Sequence, residues 1–143
     1  MFGISKVLTI STLILSVWMF TKFSFLENAL TDSSYTDTSA KSFITYAERS
    51  IEWKKNNPNT AGDMTNTILT PSWLSQRSDI RVYSDGMKVY VFMKLSPGVI
   101  TEINKLTGNS AFIGLSTSVD IKTNYGAVAK PSFIPADYVV YII

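Results

Sequence analysis

Hydrophobic and polar positions follow one rule in the first thirty residues and another in the rest of the chain. Residues 7–21 carry no charge, and the apolar run continues past a single Lys22 into Phe23, Phe25 and Leu26. A helix of about 20 apolar residues crosses a bilayer, so residues 7–26 are long enough to span one. Lys22 falls near the far end, where its aliphatic stem can reach the headgroups, and Trp18 and Phe20 suit the same interface. Thr9, Ser11, Thr12 and Ser16 interrupt the apolar surface. Their hydroxyls can bond back to the carbonyls of their own helix, which lipid tolerates, or can mark a face that meets another helix. A cleaved signal peptide is the first alternative, because Lys6 precedes the run. The best cut, after Ala29, would place Glu27 where a small residue is needed, so an uncleaved anchor is the preferred reading. A buried core helix, usually shorter, is the second alternative.

Beyond the anchor, residues 31–38 are polar and rich in Asp, Ser and Thr, which cap helices and form turns. The division expected is an anchor over residues 1–26, a juxtamembrane joint over 27–39 and an exported α+β domain over 40–143. In that domain Ala40, Phe43, Ala47 and Ile51 recur at helical spacing with Tyr46 and Trp53, between the cap candidates Thr38 and Ser39 and the stop Asn56-Asn57-Pro58. This predicts an amphipathic helix whose aromatic stripe is core. Residues 59–67 read as a solvated polar loop. Pro71 at a first helical position, with Thr70 as its cap, predicts a short helix that lays Trp73 on the sheet edge.

Residues 80–83 and 88–93 alternate β-branched and aromatic side chains on either side of Asp85-Gly86, a hairpin signal. Ser96-Pro97-Gly98 opens a second helix, with Ser96 as cap and Val99, Ile103 and Leu106 on one stripe before Gly108. Residues 111–115, 119–122 and 138–143 read as further strands. The fold class is α+β: an N-terminal transmembrane helix followed by a small domain with an amphipathic helix packed on an antiparallel sheet.

Composition narrows the chemistry. The chain has 143 residues, room for one modest domain, and contains neither Cys nor His. Disulfides, Cys/His zinc sites, thiol nucleophiles and imidazole bases are therefore excluded. Glu102 has no neighbouring acid and reads as solvated, and no phosphate loop or calcium-loop ladder is present. No catalytic, cofactor-binding or metal-ligating residue is assigned, no cofactor or small-molecule substrate is expected, and the chain reads as a non-enzyme. Setting aside Lys6 and Lys22, the remaining basic residues balance the 11 acidic ones, so no nucleic-acid partner is expected. Lys6 with the N-terminal amine favours a cytoplasmic N-terminus and an exported remainder, although Lys22 opposes this.

The N-terminal anchor, the helix closing on Asn57-Pro58, Thr70-Pro71-Ser72-Trp73, Gly86 followed by Val89-Tyr90-Val91, Pro97-Gly98, Ser110 with Gly114, and Ile134-Pro135 before Val139-Val140 form a run of short features that together resembles the PilM family. The family meant is the small inner-membrane PilM of type IVb thin pili on conjugative plasmids, distinct from the actin-like cytosolic protein of the same name. The resemblance implies a non-enzymatic part of the pilus basal body, with other assembly proteins as partners and the lipid bilayer contacted through residues 7–26. Any role in conjugation or adhesion would then pass through the pilus. The ending Tyr141-Ile142-Ile143 departs from the family, where smaller residues are expected.

Two other readings stay open. A minor pilin shares the plan of an apolar helix leading into an α+β head, but a cut after Gly3 would place Leu8 where pilins carry Glu. An anchored binding module or adhesin would draw on Trp53, Trp73, Tyr83, Tyr90 and Tyr138 as contact residues. For a partner surface the candidates are the loop 59–67, with Asp63 and Asn66, and the C-terminal strand taken as a sheet edge.

Overall fold

A computed structural model describes residues 2–143, with side chains before Asp32 described only at Ser11, Ile14, Ser16, Val17 and Met19. The chain divides into two compact units, residues 1–35 and 36–143. Helix α1 is assigned over Phe2–Asn56. Among the described residues no helix is long and apolar enough to cross a membrane, and most side chains of the expected anchor, residues 7–26, lie outside them. Residues 31–38, read from their turn-forming side chains as a joint, are helical, so Thr38 and Ser39 do not cap a new helix. A polar composition permits turns without forcing one, and each of these residues costs only a few tenths of a kcal/mol in a helix (~0.5).

From residue 36 onward α1 carries the expected stripe. Ala40, Phe43, Tyr46 and Ala47 are buried, as are Ser39, Ser42 and Ser50 of the same helix. The last two stay satisfied by bonding to the preceding turn, Ser42 Oγ to the Thr38 carbonyl at 2.8 Å and Ser50 Oγ to the Tyr46 carbonyl at 2.7 Å. The helix stops where Asn56-Asn57-Pro58 predicts.

The second unit adds β1 (Ala61–Asp63), β2 (Ile80–Asp85), β3 (Val89–Lys94), α2 (Val99–Leu106), β4 (Ile113–Ser116), β5 (Asp120–Thr123), β6 (Gly126–Ala129) and β7 (Tyr138–Ile142). The seven strands form one sheet in the order β1-β2-β3-β7-β4-β5-β6, and every pairing is antiparallel. The hairpin β2–β3 is as predicted. Its loop is held by Asp85, whose Oδ1 accepts the Met87 and Lys88 N–H groups at 2.8 and 2.7 Å, while Gly86 supplies a φ of +95°.

Three local expectations fail. Residues 71–74 form a turn, closed by Leu74 N–H donating to the Pro71 carbonyl at 2.9 Å, and no helix follows. Helix α2 has Gly98 at its N-cap with no side-chain cap, so Ser96 contributes only a backbone carbonyl, at 3.2 Å from Val99 N. Its apolar stripe ends early, because Val99 and Ile103 are buried while Leu106 is 45% exposed.

The C-terminal strand is not an edge. β7 sits in the middle, pairing β3 through Tyr90↔Ile142 and β4 through Ile113↔Tyr141. The real edges are β1, inside the segment read as a loop, and β6. The bulky ending follows from this placement, since Ile142 is buried and Tyr141 packs against the core.

Both faces of the sheet are covered. On one, Ile80, Val82, Val91, Met93 and Val139 join Phe43 and Tyr46 of α1 and Ile103 of α2 in a single core cluster. On the other, Tyr90, Phe92, Ile121, Val140 and Ile142 pack with Ile134 from the segment before β7. Phe133 of that segment stacks on Tyr83 at a centroid distance of 3.9 Å and meets Tyr90 edge-on at 5.6 Å. Ser116 ties the segment down: its Oγ donates to the Pro135 carbonyl at 2.6 Å and accepts the Tyr138 N–H at 2.9 Å.

On β4, a Cβ at Gly114 would lie 2.7 Å from both Ile121 Cγ2 and the Lys122 carbonyl oxygen. The second atom is backbone and cannot swing away. Gly114→Ala is expected to cost about 1–3 kcal/mol by overpacking. A urea midpoint unchanged from the parent chain would show that β4 and β5 do not approach this closely.

Candidate functional site

The segment joining β1 to β2 is pinned at both ends. At its start, Ile68 N–H donates to the Met64 carbonyl at 3.0 Å, and both side chains are buried. At its end, Arg77 N–H donates to the Tyr46 hydroxyl of α1 at 2.8 Å. The Arg77 guanidinium also donates to Ser39 Oγ at 3.0 Å and to Asp79 Oδ1 at 2.8 Å. Between these anchors, Thr70 Oγ1 donates to the Leu74 carbonyl at 2.9 Å and closes the turn that carries Trp73. A segment fixed this way presents whatever its middle carries on a firm base.

Its middle carries apolar side chains with nothing over them. Leu69 is 76% exposed and Trp73 74%. With Pro71 they form one wall of a groove whose other wall is α1. A cleft of about 320 Å³ lies between Thr45, Glu48, Arg49 and Glu52 of the helix and Pro71 and Trp73. A second, of about 250 Å³, shares Arg49 and Glu52 and extends past Trp53 to Asn56, Asn57 and Leu69. Arg49 Nη1 lies 3.1 Å from Glu52 Oε2, while Glu48 is exposed and bears the groove's remaining negative charge. Among the described residues no group of three or more acids could hold a metal ion.

The aromatic pool divides sharply. Tyr83, Tyr90 and Tyr138 belong to the second core cluster and Trp53 packs on the first, as the stripe reading expects. Trp73 does not lie on the sheet edge. It stands in solvent, because the turn at 71–74 replaces the helix that would have laid it down. Periodicity could not reveal this, since a lone Trp in a Pro-containing segment has no period. In the expected loop surface, Asp63 is engaged with Arg81 at 3.2 Å and accepts Thr65 N–H at 2.9 Å, and Asn66 is exposed.

The charges here set an acid response. Hydrogen bonds from Arg77, then its charge, hold the Asp79 carboxyl below its ordinary 3.8. Hydrogen bonds from Thr65 and from the Lys88 N–H lower Asp63 and Asp85 likewise. A carboxylate with a depressed folded pKa contributes stability above its unfolded pKa and loses it as pH falls through the folded value. Asp79→Asn is therefore expected to lower Tm at neutral pH and to flatten the decline of Tm below about pH 4. Parallel acid limbs for the two chains would show that the Arg77–Asp79 pair does not stabilise the fold.

The PilM family profile matches residues 10–142. The fold is similar to that of a PilM protein from Escherichia coli B7A, with a TM-score of 0.63 and 18% identity over 78% of this chain and 94% of that one. A PilM protein from Pseudomonas aeruginosa 2192 is similar at a TM-score of 0.46 and 25% identity, over 74% and 93% of the two chains. No curated protein matches the chain.

Proposed function

Because the chain belongs to the PilM family, we propose that it is a non-enzymatic component of the type IVb pilus basal body, held in the bacterial inner membrane. Residues 7–26 are its anchor, the N-terminus is cytoplasmic and the α+β unit is periplasmic. The observation that carries this is the family match over residues 10–142, which takes in most of the apolar run as well as the whole sheet. The exposure of Ile14 and Met19, 64% and 59%, suits side chains meant for lipid. On this reading its partners are other pilus assembly proteins. Conjugation or adhesion would depend on it only through the pilus.

A second reading, a minor pilin, is favoured by the order of parts along the chain, an apolar run leading into an α+β unit. Intact mass separates the two. The expected result is an unshortened chain found in inner-membrane extracts and missing from pili sheared off the same cells, with deletion of the chain abolishing pili. A shortened chain in the sheared fraction would replace the basal-body reading with the pilin one. Normal piliation in the deletion strain would remove both.

A further inference from the structure

The groove between α1 and the Trp73 turn combines a concave shape, exposed apolar surface and charge. Resting on the pilus-assembly reading, we propose that it binds an extended, basic peptide segment of another assembly protein, whose Arg or Lys side chain lies against the Trp73 ring and the Glu48 carboxylate.

Length argues for the size of the occupant. Two adjoining clefts that share Arg49 and Glu52 together border α1 from Thr45 to Asn56. At a rise of about 1.5 Å per helical residue this is roughly 16 Å, the span of about five extended residues at about 3.3 Å each. Charge argues for the sign. Two carboxylates, Glu48 and Glu52, face one guanidinium, Arg49, so the groove is short of one cation. The Arg49–Glu52 pair is exposed on both sides and contributes little by itself, so an incoming cation can share or displace it. Trp73, next to the unpaired acid, offers a ring face that favours a cation over an anion. An anionic headgroup or phosphate would meet two carboxylates and is disfavoured.

Polar atoms at the far end suit a peptide backbone. The Asn56 and Asn57 side-chain amides donate to the Glu52 and Trp53 carbonyls at 3.3 and 3.0 Å, which leaves their Oδ1 atoms to accept an incoming N–H. The energetic centre is Trp73. Trp is enriched among the few residues that carry most of the binding energy of protein interfaces, and a Trp held on a pinned turn loses little freedom when covered.

The test uses the full chain in its own cells, with the photoreactive residue benzoylphenylalanine placed at exposed Ser72 in one strain and at Leu69 in another. The expected result is an adduct at one or both positions with an assembly protein, mapped by mass spectrometry to a stretch with Arg or Lys within about three residues of the crosslink. Glu48→Lys should reduce the adduct at least about tenfold, and changing the mapped partner base to Glu should restore it. Trp73→Ala should leave Tm within about 2 °C of the parent while abolishing pili, which separates docking from folding.

Adducts to lipid alone, to a second copy of this chain or to stretches without a base would each overturn the proposal. So would adducts insensitive to Glu48→Lys, or no adduct at either position in piliated cells. Failure of the pilus reading itself looks different: deleting the chain would leave piliation intact whatever the crosslinks show.

Discussion

Deleting residues 138–143 is expected to leave a chain without native tertiary structure, the largest effect of any small change considered. Among the described residues β7 alone joins the β1-β2-β3 group to the β4-β5-β6 group, through five register pairs with β3 and three with β4. Its removal exposes the inner edges of both groups at once. It also strips Val139 and Val140, fully buried, and Ile142, 8% exposed, from the two cores. At about 1.5–3 kcal/mol for each buried side chain, their loss alone is comparable with the ~5–15 kcal/mol that stabilises a typical domain. Near-ultraviolet circular dichroism and limited proteolysis of the detergent-solubilised chain are the readout. Retention of a cooperative melt would mean that the two groups fold without their connecting strand.

Phe43→Ala is expected to cost about 3–5 kcal/mol. Phe43 is wholly buried on the face of α1 that meets the sheet, beside Tyr46 and Ala47. Truncating it loses the transfer free energy of the ring and leaves a cavity between helix and strands that a rigid sheet cannot close. Tm should fall by at least about 10 °C. The same change at exposed Trp73 should move Tm hardly at all, so the pair forms an internal control. Equal losses at Phe43 and Trp73 would contradict the burial pattern described above.

Much of the fold is legible in residue order because the rules that set it are local. The stripe Ala40, Phe43, Ala47 has one apolar face at helical spacing, and only a helix buries it. Asp85-Gly86 between two alternating runs can hardly be anything but a hairpin, and the Asp85 carboxylate and the positive φ of Gly86 are the atoms that make it one. Less legible are β1 and β6. Ala61-Gly62-Asp63 and Gly126-Ala127-Val128-Ala129 have weak strand preferences and become strands because β2 and β5 offer them open ladders. The second core was half visible: Tyr90 and Phe92 alternate with Val89, Val91 and Met93, yet nothing in that alternation says that Phe133 and Ile134 will return from a distant segment to cover them.

The candidate site was less legible still. Thr70-Pro71-Ser72-Trp73 stood out in the chain, but its meaning reversed on folding. The residues that hold Trp73 out, Tyr46 on Arg77 and Thr70 on Leu74, act across 31 and 4 positions respectively. The groove also needs α1 as its second wall, which no reading of the turn supplies.

By itself the sequence determined the buried stripe of α1, the β2–β3 hairpin, the absence of thiol and imidazole chemistry and the family to which the chain belongs. Each depends on residue type or on neighbours within a turn or two. Only the tertiary structure decided that β7 lies at the centre, that β1 and β6 are the edges, and that Trp73 faces solvent in the cleft it shares with Glu48. Strand order and exposure depend on which distant segments compete for the same hydrogen bonds and the same apolar surface, and that competition is resolved only when the whole sheet closes.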